Sequence, residues 1–132
     1  MFVVAASANA PLVARPAEAP QPLRVWDAKA SWYGKRFHGR RTANGEIYDM
    51  NAPTAAHQSL RMGSIVRLTN PKNGRTRLVR INDRGPYIDG REMDVSRGIA
   101  IALGFKENGV ARLRMELLEV PERRSATKPA ND

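Results

Sequence analysis

Between residues 64 and 83 the chain alternates polar and apolar side chains with the two-residue period of a β-strand. In SIVRLTN (64–70) Val66 and Leu68 fall on one face, and Arg67 and Thr69 on the other. Pro71, Lys72, Asn73 and Gly74 then supply turn chemistry, Asn-Gly being favoured where φ must be positive. Residues 75–83 return as a second strand, so the pattern predicts a hairpin. Residues 28–33 predict a short first strand closed by Gly34, and residues 92–95 another. Residues 110–120 place Leu113, Met115 and Leu117 on one face and read as a closing strand. The period lengthens only after Ser96, a fitting N-cap, where Ile99, Ala100 and Leu103 share the face of a short helix ended by Gly104. Many short strands with one or two short helices predict a mainly-β protein, a small barrel rather than a sandwich or a parallel sheet.

The two ends break this pattern. Residues 1–26 begin with an apolar run from Phe2 to Ala6 and small-residue tripeptides, then become Ala- and Pro-rich. They read as a signal remnant or a disordered linker, although no basic segment precedes the apolar run. Residues 122–132 are polar and charged and read as a disordered tail. One folded domain is therefore expected over residues 27–121. No run approaches the ~20 apolar residues that a spanning helix needs, so no transmembrane segment is expected.

Composition removes several chemistries. The chain has no cysteine, which excludes a disulfide scaffold, thiolate metal sites and a cysteine nucleophile. With only two histidines, a multi-histidine site is excluded as well, and no metal or other cofactor is expected. A formal charge of +9 suits nucleic acid, an anionic membrane surface or an anionic cell-wall polymer.

Candidate chemistry rests on a few acids and one histidine. Continuing the alternation of Val79 and Ile81 places Asp83 on the core face, at the mouth of an apolar surface. Burial raises a carboxylate's pKa, as a general acid at neutral pH requires. Asp83 equally fits a turn cap or a partner for Arg84. Glu46 follows the Asn44-Gly45 bend and shares its loop with Asp49; both suit a site or a solvated loop. His57 fits a structural or a catalytic role. Asp94 fits a cap for the following helix or a functional acid. Trp32 and Tyr33 suit sugar stacking or packing.

The motifs ASWYG (30–34), FHGRRTANGEIYDM (37–50), TAAH (54–57), LRMGSIVRLTN (60–70), NGRTRLVRINDRGPY (73–87) and MDVS (93–96) occur in that order. Together they resemble the rare lipoprotein A (RlpA-like) family of double-psi β-barrels over about residues 28–119. The resemblance implies a six-stranded double-psi barrel, expansin-like in fold, with a polysaccharide groove across one face. It also implies a peptidoglycan lytic transglycosylase of the periplasm or cell envelope, acting on glycan strands stripped of stem peptides. The family's functional positions fall on Glu46, Asp49, His57 and Asp83, and Asp94 matches the essential acid of expansins. In this chain no lipobox cysteine offers a lipid attachment point, and no sporulation-related repeat follows the barrel.

On that resemblance Asp83 is the expected acid/base and Glu46 the second candidate, with Asp49 and His57 orienting them. Asp94, Trp32, Tyr33, Arg84 and Arg91 are expected to contact substrate, with Arg40 and Arg41 as further groove candidates. Intramolecular attack by the muramyl 6-hydroxyl makes a single acid/base residue sufficient. A monomer is expected. A non-catalytic, expansin-like module that binds or loosens peptidoglycan is the alternative. Nucleic acid is not an expected partner: the chain has two Trp, three Tyr and three Phe, too few aromatics to interleave with a basic strip.

Overall fold

The computed structural model describes residues 21–33 and 37–122. The expected signal-like segment through residue 20, the closing Gly34 and the tail from residue 123 lie outside the described residues. Six strands and one helix follow in chain order: β1 (Arg24–Trp32), β2 (Thr54–His57), β3 (Ile65–Thr69), β4 (Thr76–Asp83), β5 (Met93–Val95), α1 (Arg97–Leu103) and β6 (Val110–Glu119). They close into a barrel in the order β1-β5-β2-β4-β3-β6, with β6 pairing back onto β1. β1 pairs with β5 and β2 with β4 in parallel; the other four ladders are antiparallel.

The alternation read from the sequence fills the barrel. Val66 and Leu68 from β3, Val79 and Ile81 from β4, Met93 and Val95 from β5, and Leu113 and Met115 from β6 are all buried in one core. Each such side chain contributes roughly 1.5–3 kcal/mol by leaving water. The outward residues of the same strands pair across the surface, as Arg67 does with Glu116 at 2.8 Å. The β3–β4 turn forms as expected, Gly74 taking φ +76 and donating its N–H to the Asn70 carbonyl at 2.8 Å.

Helix α1 closes one side of the core with Ile99, Ala100 and Leu103. Ser96 caps it, its hydroxyl accepting from Ile99 N and donating to the Ala52 carbonyl at 2.6 Å. Gly104 ends it at φ +82, and the side-chain amides of Asn70 and Asn73 both donate to the Leu103 carbonyl. The hairpin turn is thereby stitched to the helix end.

Three features differ from the sequence expectation. β1 starts at Arg24 rather than residue 28, because its first residues pair with β6 from Leu117 onward. β2 is a full barrel strand, although Thr-Ala-Ala-His has little strand propensity; all four residues are buried between β5 and β4. The third difference concerns Asp83. Along β2 and β4 the partners run Ala55 with Ile81 and then Ala56 with Asp83, so Asn82 is an extra residue in a bulge. The bulge reverses the alternation. Asp83 does not follow Val79 and Ile81 to the core; it faces outward on the side of Ala56.

Ser96 is fully buried and satisfies two backbone groups at once. Ser96→Ala is expected to lower unfolding free energy by about 1–3 kcal/mol, measured by urea titration.

Candidate active site

The outward residues of four adjacent strands converge on one cleft. β1 contributes Ser31 and leads into Tyr33, β5 contributes Asp94, β2 Ala56 and β4 Asp83. Ala56 is in register with Asp94 on one side and with Asp83 on the other. The two acids therefore stand one strand either side of a methyl-sized floor, their backbones roughly 10 Å apart by the normal strand spacing. Tyr33, Phe37 and Arg84 complete the lining of a volume of about 140 Å³. The Tyr33 ring packs on Tyr48 at 4.5 Å between centroids and meets Phe37 edge-on at 6.0 Å.

The two acids have different surroundings. Asp83 accepts from the backbone N–H groups of Ala43 and Arg84, both at 2.9 Å, and from the Tyr33 hydroxyl at 3.2 Å. Asp94 accepts from the Ser31 hydroxyl. Burial pushes the Asp94 carboxyl above the usual range, and the charge of Asp83 adds to that push, while Ser31 and the charge of Arg91 oppose it. The Tyr33 phenol is raised too, first by burial and then by the charge of Asp83 and its hydrogen bond, so it remains a donor. The Tyr48 phenol, also raised by burial, accepts from Arg97 N at 3.3 Å.

Of the other expected site residues only Arg84 lines the cleft. Glu46 is held by both Arg80 guanidinium nitrogens, at 2.8 and 3.0 Å, and by Asn82 at 3.0 Å. Those bonds, Arg80 first, lower its pKa from 4.5 to about 2, which keeps it ionised and unsuited to donate a proton. Asp49 is exposed and closes a local turn by accepting from Asn51 N. His57 points from β2 to the side opposite Ala56. Its Nδ1 accepts from Ser59 N and Leu60 N, and its Nε2 meets Glu92 at 2.7 Å. With Nδ1 so occupied the neutral ring donates from Nε2, and burial lowers its pKa despite Glu92. Trp32 packs on the core and donates to the Lys106 carbonyl, because one residue of alternation separates it from Tyr33. Arg84 lines the cleft but spends its guanidinium on the carbonyls of His57 and Leu60. Arg91 borders a neighbouring groove and reaches Asp94 through its charge. Arg41 is engaged by the Gly45 carbonyl.

Several partners were not foreseen: Ser31 for Asp94, Arg80 for Glu46, and Glu92, which accepts from both Trp26 and His57. For Ser31 a signal existed, since it shares an outward face with Tyr33. Among the described residues no three His, Asp or Glu side chains converge as a metal site would need. No helix among them is long and apolar enough to cross a membrane.

A family model described as lytic transglycolase matches residues 26–115. The chain belongs to that family. It is an RlpA-like member, 50% identical over 101 residues to the endolytic peptidoglycan transglycosylase RlpA of Vibrio cholerae. That match covers 76% of this chain and 37% of the relative, so the chain spans little more than a third of the relative's length. Among solved structures, a Streptomyces papain inhibitor aligns with a TM-score of 0.61 at 20% identity, covering 74% of this chain and 97% of that one. An expansin of Clavibacter michiganensis aligns at 0.57 and 19% identity, covering 76% and 53%. The RlpA-like barrel thus has the double-psi fold expected from its motifs.

Two outcomes follow from these surroundings. Ser31→Ala removes the bond that favours ionised Asp94, so the Asp94 pKa should rise further in a carboxyl NMR titration. Glu46 contributes stability that is complete above pH 4.5 and lost as pH falls through about 2. Glu46→Gln should remove that part of the acid-denaturation profile. At neutral pH it should cost only ~0.5–1 kcal/mol, because the Arg80–Glu46 pair is about 40% exposed.

Proposed function

We propose that this barrel is a peptidoglycan lytic transglycosylase, cleaving the bond between N-acetylmuramic acid and N-acetylglucosamine and leaving 1,6-anhydro ends. The observation that carries the reading is the pairing of Asp94, whose burial favours its protonated form, with Asp83 across one cleft walled by Tyr33 and Phe37. The match to enzymes named for this activity supports it.

In this reading Asp94 gives its proton to the glycosidic oxygen as the bond to the anomeric carbon breaks. The Asp83 carboxylate, fixed by three donors, stabilises the positive charge that develops on the ring. The muramyl 6-hydroxyl oxygen then attacks the anomeric carbon, and its proton passes to Asp94, which is restored. No water enters the balance, and proximity favours the internal nucleophile. This moves the acid/base role from Asp83 to Asp94 and leaves Glu46, Asp49 and His57 as scaffold. The Glu46–Arg80–Asn82 cluster holds the loop whose Ala43 N–H fixes Asp83. The His57 turn receives the Arg84 side chain, whose own N–H does the same. The groups that this step uses all come from one chain, which supports a monomer as the acting unit. A peptidoglycan substrate supports a location outside the cytoplasmic membrane, in the periplasm.

Purified protein is incubated with peptide-free sacculi and the products are read by mass spectrometry. Asp94→Asn should lower release of anhydro-ended products by roughly 10²–10⁴-fold, and Asp83→Asn should also lower it strongly. Wild-type-like release by both variants overturns the assignment. Binding of sacculi by the wild type without any new ends would instead make it a loosening module. Activity should also decline as pH rises past the elevated pKa of Asp94, which must be protonated to act.

A further inference from the structure

The cleft leaves unused the most exposed large apolar side chain among the described residues. Tyr87 is 78% exposed, and the next residue, Ile88, is 54% exposed. The loop that carries them is braced. The Gln58 side-chain amide donates to the carbonyl of Pro86 at 2.9 Å and to that of Arg91 at 3.1 Å, tying both feet of the loop together. Within it Arg91 N donates to the Ile88 carbonyl, and Gly90 makes the bend at φ +84. An aromatic ring is thus displayed on a supported loop.

Beside the loop runs a groove of about 530 Å³, whose far wall is formed where Lys29 of β1 pairs with Arg112 of β6. Arg91 lines this groove, and its charge acts on Asp94 in the cleft. The groove carries carboxylates (Asp27, Asp89, Glu92) as well as cations, so it is not an anion trap. A ring with an aliphatic neighbour, set beside amide, carboxylate and guanidinium groups, matches a pyranose. The sugar lays its C–H face on the ring and offers hydroxyl and acetamido groups to the polar wall.

We propose that Tyr87 and Ile88 form a second subsite for the glycan strand, holding an N-acetylated amino sugar beyond those in the cleft. The inference rests on the reading of the cleft as a glycan-cleaving site. It makes the enzyme prefer long strands, because only a strand that occupies both places gains the extra contact. Mixed charge along the groove argues against an anionic membrane surface as the occupant.

The test uses protein carrying Asp94→Asn, and separately Asp83→Asn, so that strands are bound and not consumed. Each is titrated with peptide-free glycan strands and with vesicles containing phosphatidylglycerol. Adding Tyr87→Ala should weaken strand binding about five- to tenfold, and Tyr87→Trp should restore it. In the active protein Tyr87→Ala should raise KM for long strands and shrink their advantage over short ones. Unchanged strand affinity in Tyr87→Ala overturns the subsite. So does loss of vesicle binding with strand binding intact, which would make the loop a membrane contact. If the parent protein cuts strands and Tyr87→Ala binds them normally, the subsite alone falls. If the parent neither binds nor cuts, the cleavage reading falls and the subsite with it.

Discussion

The cleft depends on the opposite facing of successive residues in a strand that is only four residues long. Ala55 enters the core, Ala56 floors the cleft, and His57 turns back toward Trp26 and Glu92. A larger side chain at position 56 would occupy the space between Asp94 and Asp83. The bulge at Asn82 supplies the other half of the arrangement. With unbroken alternation Asp83 would enter the core, where an unpaired carboxylate costs several kcal/mol. Asp94 would then face the cleft without a second acid.

Acidic residues of the same type are sorted by their surroundings. Glu46 meets Arg80 and Asn82 and stays charged at any ordinary pH. Glu92, just before β5, accepts from the Trp26 indole of β1 and the neutral His57 imidazole of β2, and so ties these strands together. Asp94, with one hydroxyl donor and a buried setting, is the group among them inclined to keep a proton. Environment, not residue type, sets which of these carboxyls is inclined to hold a proton and which stays charged.

Local signals in the chain were legible. The alternation of Val66 with Leu68, the Asn73-Gly74 turn, and the Ser96 and Gly104 caps each depend on neighbours within a few residues, and each forms as read. The family motifs carried the barrel as a whole. What escaped depends on partners far along the chain. β2 is a strand because β5 and β4 flank it, since Ala-Ala states no preference of its own. The bulge is a property of register between two strands and leaves no mark in either one. Glu46 stayed open between a site acid and a solvated loop because Arg80 lies 34 residues away, and His57 between a structural and a catalytic role because Glu92 lies 35 away. Asp94 read as a helix cap or a functional acid, but its buried setting becomes visible only when Ser31 arrives from β1.

The parallel ladders also decide when the cleft can exist. Ser31 reaches Asp94 across 63 residues of sequence, and Tyr33 reaches Asp83 across 50. Contacts this distant close late, because loop entropy must be overcome before they give anything back. Neither a hairpin nor a single parallel pair brings Asp94, Ser31 and Asp83 together; that takes β1, β5, β2 and β4 side by side. A chain that stops short of β5 would therefore hold neither Asp94 nor the shared face on which it meets Ser31 and Asp83.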